Sequence, residues 1–305
     1  MPHSVDSTPE DIITTLYNLR SKFLSKRAIF VPSNEMINIL LALGADAKDL
    51  KRIQATSETL QTDPTLPFRR SKNGRFMYDL SSAGSPKLHR LEHQPFILSA
   101  EEDFVRHDSG QVRQFIEIED DLQGNSVLHA LFKFKTFMMQ GVGKDFTPRP
   151  SLDYDTSDFI CTLFHLRTVT TPTLVGEPAL EGVHSDGVDF TMTTFLGADN
   201  MTDDSAVTFV HDNAETNALP FDKTDPKHLL ATFQHKNLLD TLLFVDHERK
   251  HSLSPVKAVV PEKETTRDML VFFTRKPVVK GHVSYEFDSL RMHRRLPLDV
   301  SLSVV

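Results

Sequence analysis

The chain has 305 residues, of which 39% are hydrophobic and 25% charged, with 22 Phe, 17 Pro, 12 Gly and no Trp. That composition can bury a large core and excludes a disordered chain. Thirty-four Lys and Arg against 42 Asp and Glu leave a net charge of −8, which argues against nucleic acid or an anionic membrane as a partner. The longest apolar runs, 39–45 and 238–245, fall well short of the ~20 residues that span a bilayer. Cys161 is the only cysteine and fits a reducing compartment. The N-terminal stretch has neither a basic start nor an apolar segment, so no secretory signal is expected and the location expected is cytoplasmic.

In chain order, apolar spacing predicts a helix over 9–24 through Ile12, Leu16, Leu19 and Phe23, and another over 33–50 through Met36, Ile39, Leu40 and Leu43. From 69 to 119 the pattern changes to short strands and turns, and the basic run from Arg69 to Arg75 reads as a solvated loop. A third helix is predicted over 125–141, with Val127, Leu128, Leu131, Phe134, Phe137 and Met138 on one broad face. Beyond Pro150 the segments 159–166, 190–196, 206–210, 241–245, 256–260 and 269–274 read as strands. Many strands without intervening helices predict an α+β molecule with a sandwich, jelly roll or barrel core. One domain over 1–305 is expected, with a helical and mixed part over 1–150 and a β-rich part over 151–305.

His184 and Asp186 lie two apart before an alternating run, so on an extended backbone both point to the same side. His251 follows Asp186 by 65 residues, after further strands, and suits a third ligand from a neighbouring strand. Two imidazoles and one carboxylate are the face that holds non-haem Fe(II) and leaves positions open. Arg267 comes 16 residues later beside another predicted strand, and its guanidinium suits a distal carboxylate. His247 competes with His251, and Arg275 with Arg267. His235 falls in a helical or loop stretch, and adjacent His211 and Asp212 would point to opposite faces. His165 and Arg167 share a face of the strand before the His-x-Asp pair. They are expected either to bind a substrate, with Arg167 on its carboxylate, or to form an ordinary ion pair.

At these residues the chain resembles the iron(II)/2-oxoglutarate dioxygenases, and within them the branch of isoleucine 4-hydroxylases and similar free-amino-acid hydroxylases. The resemblance rests on Leu180-Glu181-Gly182-Val183-His184-Ser185-Asp186-Gly187-Val188-Asp189-Phe190, on Asn200, on Asp246 with His251 and Pro255, and on Arg267-Asp268-Met269-Leu270. It implies a double-stranded β-helix, a jelly roll, flanked by N-terminal helices. It also implies that His184, Asp186 and His251 hold Fe(II), that Arg267 anchors 2-oxoglutarate, and that O2 is consumed while succinate and CO2 form. Ascorbate is the expected reductant in vitro. The implied reaction is oxidation of an unactivated C–H bond in a small free amino or imino acid, isoleucine-like or pipecolate-like. Hydroxylation is the first expectation; oxidative cyclisation to an aziridine, desaturation, or a non-catalytic ligand-binding jelly roll are the alternatives. Where that branch commonly carries a Gly-Gly-Glu-Ser turn near the site mouth, this chain has Asp203-Asp204-Ser205.

Overall fold

The computed structural model describes residues 9–81, 85–100, 108–142 and 148–304. The first helix, α1 (Pro9–Lys26), has Glu10 and Asp11 in its first turn and Lys26 in its last, the arrangement that complements the helix dipole. A strand the sequence reading missed, β1 (Ala28–Val31), follows directly. The predicted helix over 33–50 is two helices, α2 (Ser33–Ala42) and α3 (Ala47–Ala55). Gly44 stops the first at φ +99°, a backbone state that favours glycine, and Asp46 caps the second by accepting a hydrogen bond from the Lys48 amide at 2.7 Å.

The basic run is not a solvated loop. After the short β2 (Gln61–Thr62), residues 69–75 open β3 (Arg69–Asp79), an eleven-residue strand mostly buried along its length and paired to β4 (Lys87–Leu91). Each cation of the run finds a partner. Arg69 pairs with Asp63, Arg70 with Glu264, Lys72 with Glu119 and Arg75 with Asp288. A single turn, α4 (Asp120–Gln123), precedes α5 (Ser126–Met139), the predicted Phe-rich helix, capped by Asn125 accepting from the Val127 amide at 2.9 Å.

Beyond Pro150 come β5 (Phe159–Thr170), β6 (Phe190–Asp199), β7 (Thr208–His211), β8 (Leu229–Phe233), β9 (Thr241–Val245), β10 (Lys250–Leu253), β11 (Thr265–Arg275) and β12 (Asp299–Ser301). Residues 256–260, predicted as a strand, make only single bridges, Gly176 to Val256 and Met201 to Ala258. The strands form two antiparallel sheets. The larger runs β1-β9-β6-β11-β5-β3-β4-β12 with β2 beside β3, and the smaller runs β10-β7-β8. Strands from both sides of Pro150 therefore share one sheet.

Side-chain alternation divides the larger sheet into two working faces. Cys161 and Leu163 of β5, Phe190 and Met192 of β6, and Leu270 and Phe272 of β11 pack with α1, α2 and α5 into the hydrophobic core. Their neighbours Phe164, Leu166, Thr191, Thr193, Met269 and Val271 point the other way and line a cavity closed by the smaller sheet. This is a jelly-roll core flanked by N-terminal helices, as expected. Among the described residues no helix is long and apolar enough to cross a membrane.

Candidate metal centre and substrate cavity

The loop before β6 is shaped by Gly182. Its φ is +74°, and a Cβ there would lie 2.3 Å from the Leu219 carbonyl oxygen, so only glycine lets residues 181–184 take this path. The amide of His184 donates to the His251 carbonyl at 3.0 Å and the amide of His251 returns a bond at 2.8 Å. This two-way bridge brings β10 against the His-x-Asp segment, and the two imidazole centroids stand 4.2 Å apart.

One ligand atom from each of His184, Asp186 and His251 falls within 4.8 Å of the others, a spacing that can hold a metal ion. The surrounding bonds fix which atoms face the centre. Nδ1 of His184 is 2.8 Å from the Gly182 carbonyl, so it carries the proton and leaves Nε2 directed at the cluster. Thr191 donates its hydroxyl to Asp186 Oδ2 at 2.6 Å, and Phe244 packs edge-on against the His251 ring at 5.1 Å. Two neutral imidazoles with one carboxylate suit Fe(II).

The charges of this cluster are tightly linked. Burial opposes charge on His184, but Glu181 and Asp186 beside it carry its pKa up to about 9. Burial and the neighbouring His184 push His251 down to about 3. Burial would raise Asp186, yet His251, His184 and the Thr191 hydroxyl hold it below its ordinary value. Asp246, fully buried, receives the amide protons of Asp186 at 2.9 Å and Val188 at 3.2 Å, and burial with the Asp186 charge pushes it up to about 7.

Arg267 projects from β11 into the same cavity, 4% exposed, and forms no ion pair among the described residues. Burial lowers its pKa only to about 10, so it stands in the cavity as a cation at neutral pH. Thr193 and His235 line the wall with it, joined by a 3.2 Å hydrogen bond. Burial, then the Arg267 charge, hold His235 down at about 3, so this ring is neutral. The cavity, about 130 Å³, is otherwise walled mainly by apolar side chains, with Phe96, Phe115, Phe164 and Phe273 in mutual ring contact.

The other sequence candidates sit elsewhere. His165 and Arg167 do share a face, but it is the face turned away from the cavity. His165 bonds Ser57 at 2.9 Å, and Arg167 is clamped by Asp268, directly across the strand pair, and by Glu58. Neither therefore lines the cavity, where the substrate role considered for them would need them: Arg167 forms ion pairs with Asp268 and Glu58, while His165, its pKa lowered to about 3 first by burial, is a neutral ring held by Ser57. His247 lies outside the cavity, and His211 bonds Ser252 at 2.9 Å. Arg275, at the far end of β11, pairs with Asp288. The Asp203-Asp204-Ser205 turn is tied to Lys257 and does not line the cavity. His235 was passed over in the sequence because its loop carries no spacing that points to a site. Arg113 was missed because its place depends on a bridge between Phe96 and Arg113, distant from every motif.

Comparison with known proteins gives a consistent set. The model of a family described as 2OG-Fe dioxygenase matches residues 54–273. The bifunctional enzyme flvA of Aspergillus flavus is 42% identical over 290 residues, covering 95% of this chain but 35% of that protein. The chain thus spans about a third of the length of that curated relative. The solved structure of the Fe(II)/α-ketoglutarate-dependent dioxygenase TqaL is 45% identical, with a TM-score of 0.82 and 98% of each chain covered. A bsmA homolog from Methylobium petroleophilum, 18% identical, shares the fold at a TM-score of 0.64 over 86% of this chain and 93% of its own.

Proposed function

This chain belongs to the 2OG-Fe dioxygenase family, and from that premise we propose that it oxidises an unactivated C–H bond of a small free amino or imino acid, most simply by hydroxylation. The observation that carries the reading is one cavity holding the His184, Asp186 and His251 ligand atoms together with the Arg267 cation, which is in no ion pair among the described residues. His184, Asp186 and His251 would hold Fe(II), and Arg267 would grip the far carboxylate of 2-oxoglutarate. When bound, iron with 2-oxoglutarate and O2 supplies the oxidising power, releasing succinate and CO2.

The protein's own residues do the rest. Thr191 holds one oxygen of Asp186 and the Gly182 carbonyl holds the His184 ring, so neither ligand has to reorganise on binding metal. Arg267 is always charged at neutral pH and buried, which makes its bond to a carboxylate stronger than the same bond in water. The phenylalanine wall gives the cavity that holds the metal ligands an apolar lining, which disfavours water there. The amino-acid class is supported by the motif resemblance and by the modest cavity, which suits a small molecule.

The test is succinate formation by purified protein with Fe(II), ascorbate, 2-oxoglutarate and O2 across free amino and imino acids, with product masses. Substrate-dependent succinate with a gain of one oxygen is expected; a loss of two hydrogens would replace hydroxylation by cyclisation or desaturation. Absence of any substrate-dependent succinate across the panel would overturn the amino-acid reading.

A further inference from the structure

We propose that His235 is a second binding residue for the co-substrate, its ring donating from Nδ1 to the far carboxylate that Arg267 grips. This rests on the reading of Arg267 as the 2-oxoglutarate anchor, and it adds the neutral donor that completes the carboxylate's hydrogen bonding.

Arg267 and His235 both line the cavity, 4% and 2% exposed. Arg267 Nε and His235 Nδ1 are buried, and neither atom has a hydrogen-bond partner among the described residues. A buried polar atom left unpaired is costly, so two of them in one wall point to an acceptor that the fold itself does not supply. A carboxylate meets that need, since its two oxygens can take the guanidinium edge and one more donor. The charges agree. Arg267 already balances one carboxylate, and a second cation beside it would add repulsion in a buried site. Burial, then the Arg267 charge, keep His235 at about 3, so it adds a bond without adding charge.

The ring is held in place by its own surroundings. Thr193 is its one hydrogen-bond partner among the described residues, with Oγ1 at 3.2 Å from Nε2. Phe30 of β1 meets the ring edge-on at 5.5 Å and itself stacks on Phe233 of β8 at 5.7 Å. The chain on either side is tied down as well. The Gln234 side chain donates to the carbonyls of Asp203 and Ser205, and the amides of Lys236 and Asn237 donate to Asp240 at 2.8 Å. The Thr193 hydroxyl can donate or accept, so it supports the tautomer with hydrogen on Nδ1, the one a carboxylate selects. Such a ring needs no rearrangement to meet its ligand.

The experiment titrates anaerobic Fe(II)-loaded protein with two 2-oxo acids and follows the visible absorbance that reports their binding at iron. The probes are 2-oxoglutarate and 2-oxopentanoate, which has the same chain and the same 2-oxo acid end but no far carboxylate. Wild type is expected to bind 2-oxoglutarate far more tightly than 2-oxopentanoate. His235→Phe should weaken 2-oxoglutarate about 10-fold and leave 2-oxopentanoate near wild type. An Asn amide nitrogen falls close to the place of Nδ1 and a Gln amide nitrogen close to that of Nε2. His235→Asn should therefore stay near wild type, while His235→Gln should lose about 10-fold. Fe(II) affinity measured without a 2-oxo acid should be unchanged in all three. Wild-type affinity for 2-oxoglutarate in both His235→Phe and His235→Gln, an equal loss for 2-oxopentanoate, or His235→Gln binding better than His235→Asn overturns the His235 assignment alone. Wild type that binds the two acids equally, or shows no absorbance change with either, overturns that assignment and the Arg267 reading beneath it together. The Asn and Gln variants keep a polar side chain and decide the question even if His235→Phe fails to fold.

Discussion

Arg267 and Arg167 come from paired strands, yet their guanidinium groups end on opposite faces of the sheet. Among the described residues Arg267 is a buried cation in no ion pair; Arg167 already has two anions, Asp268 and Glu58, which raise its pKa. Their removal should therefore read out differently. Arg267→Leu is expected to raise the KM for 2-oxoglutarate by about 100-fold, the value of a lost charge-assisted pair of bonds. Arg167→Met should leave both substrate constants near wild type and lower stability by about 1–3 kcal/mol, because Asp268 loses its partner in a nearly dry site. Urea unfolding beside steady-state kinetics separates the two cases, and a raised amino-acid KM in Arg167→Met would restore the discarded role. The i, i+2 rule placed His165 and Arg167 on one face correctly. It could not say which face, because β5 is buried on both sides and alternation marks the core only when one side is wet. His184 and Asp186 were legible for the opposite reason, since their convergence is local. Arg113 and His235 reach the cavity only through non-local packing.

At the scale of elements, one strand and one turn carry more than their composition advertised. Residues 69–75 looked like a loop because four of the seven are cations and the other three are Ser71, Asn73 and Gly74, but each cation of the run is neutralised from another segment. Gly74 is needed there. A Cβ would sit 2.2 Å from Nη1 of Arg90, which is 1% exposed, bonded to Glu117 and lies 4.7 Å over Phe76. Gly74→Ala should cost about 2–4 kcal/mol in urea unfolding. The added loss should shrink when Arg90→Met is made as well, since the two changes share one collision. The turn after β9 is the second case. Asp246 collects the amides of Asp186 and Val188, so it positions the metal-ligating segment without lining the cavity. Asp246→Asn puts a side-chain amide against those donors and is expected to weaken Fe(II) binding about 10- to 100-fold in an anaerobic titration. An unchanged affinity would mean the His184–His251 bridge alone sets the geometry.

Across the whole molecule one sheet separates a helix-packed core from the cavity that gathers His184, Asp186 and His251, and Lys135 crosses that division of labour. It rises from α5 into the core, fully buried, and donates to the Phe272 carbonyl at 2.8 Å and the Thr274 hydroxyl at 2.6 Å. It thereby ties the helix layer to β11, the strand that carries Arg267 on its other face. Burial lowers its pKa from 10.5 to about 7, against the weaker pull of Cys161 and Asp186. Between those two values the unfolded chain holds a proton that the folded one has released, so this group makes stability rise with pH. The contribution is least favourable below pH 7 and the disadvantage fades toward pH 10.5. In iron-free protein His184 works in the opposite sense, because its folded pKa is raised to about 9 and its contribution falls as pH climbs. The useful quantity is therefore a difference between two proteins that share His184. From pH 7 to pH 8, wild type should gain roughly 1 kcal/mol on Lys135→Met in urea unfolding, a window that ends below the ~8.5 midpoint at which Cys161 ionises in the unfolded chain. A difference that stays flat with pH would mean that the carbonyl cradle keeps Lys135 charged, and that the fold bears a buried cation throughout.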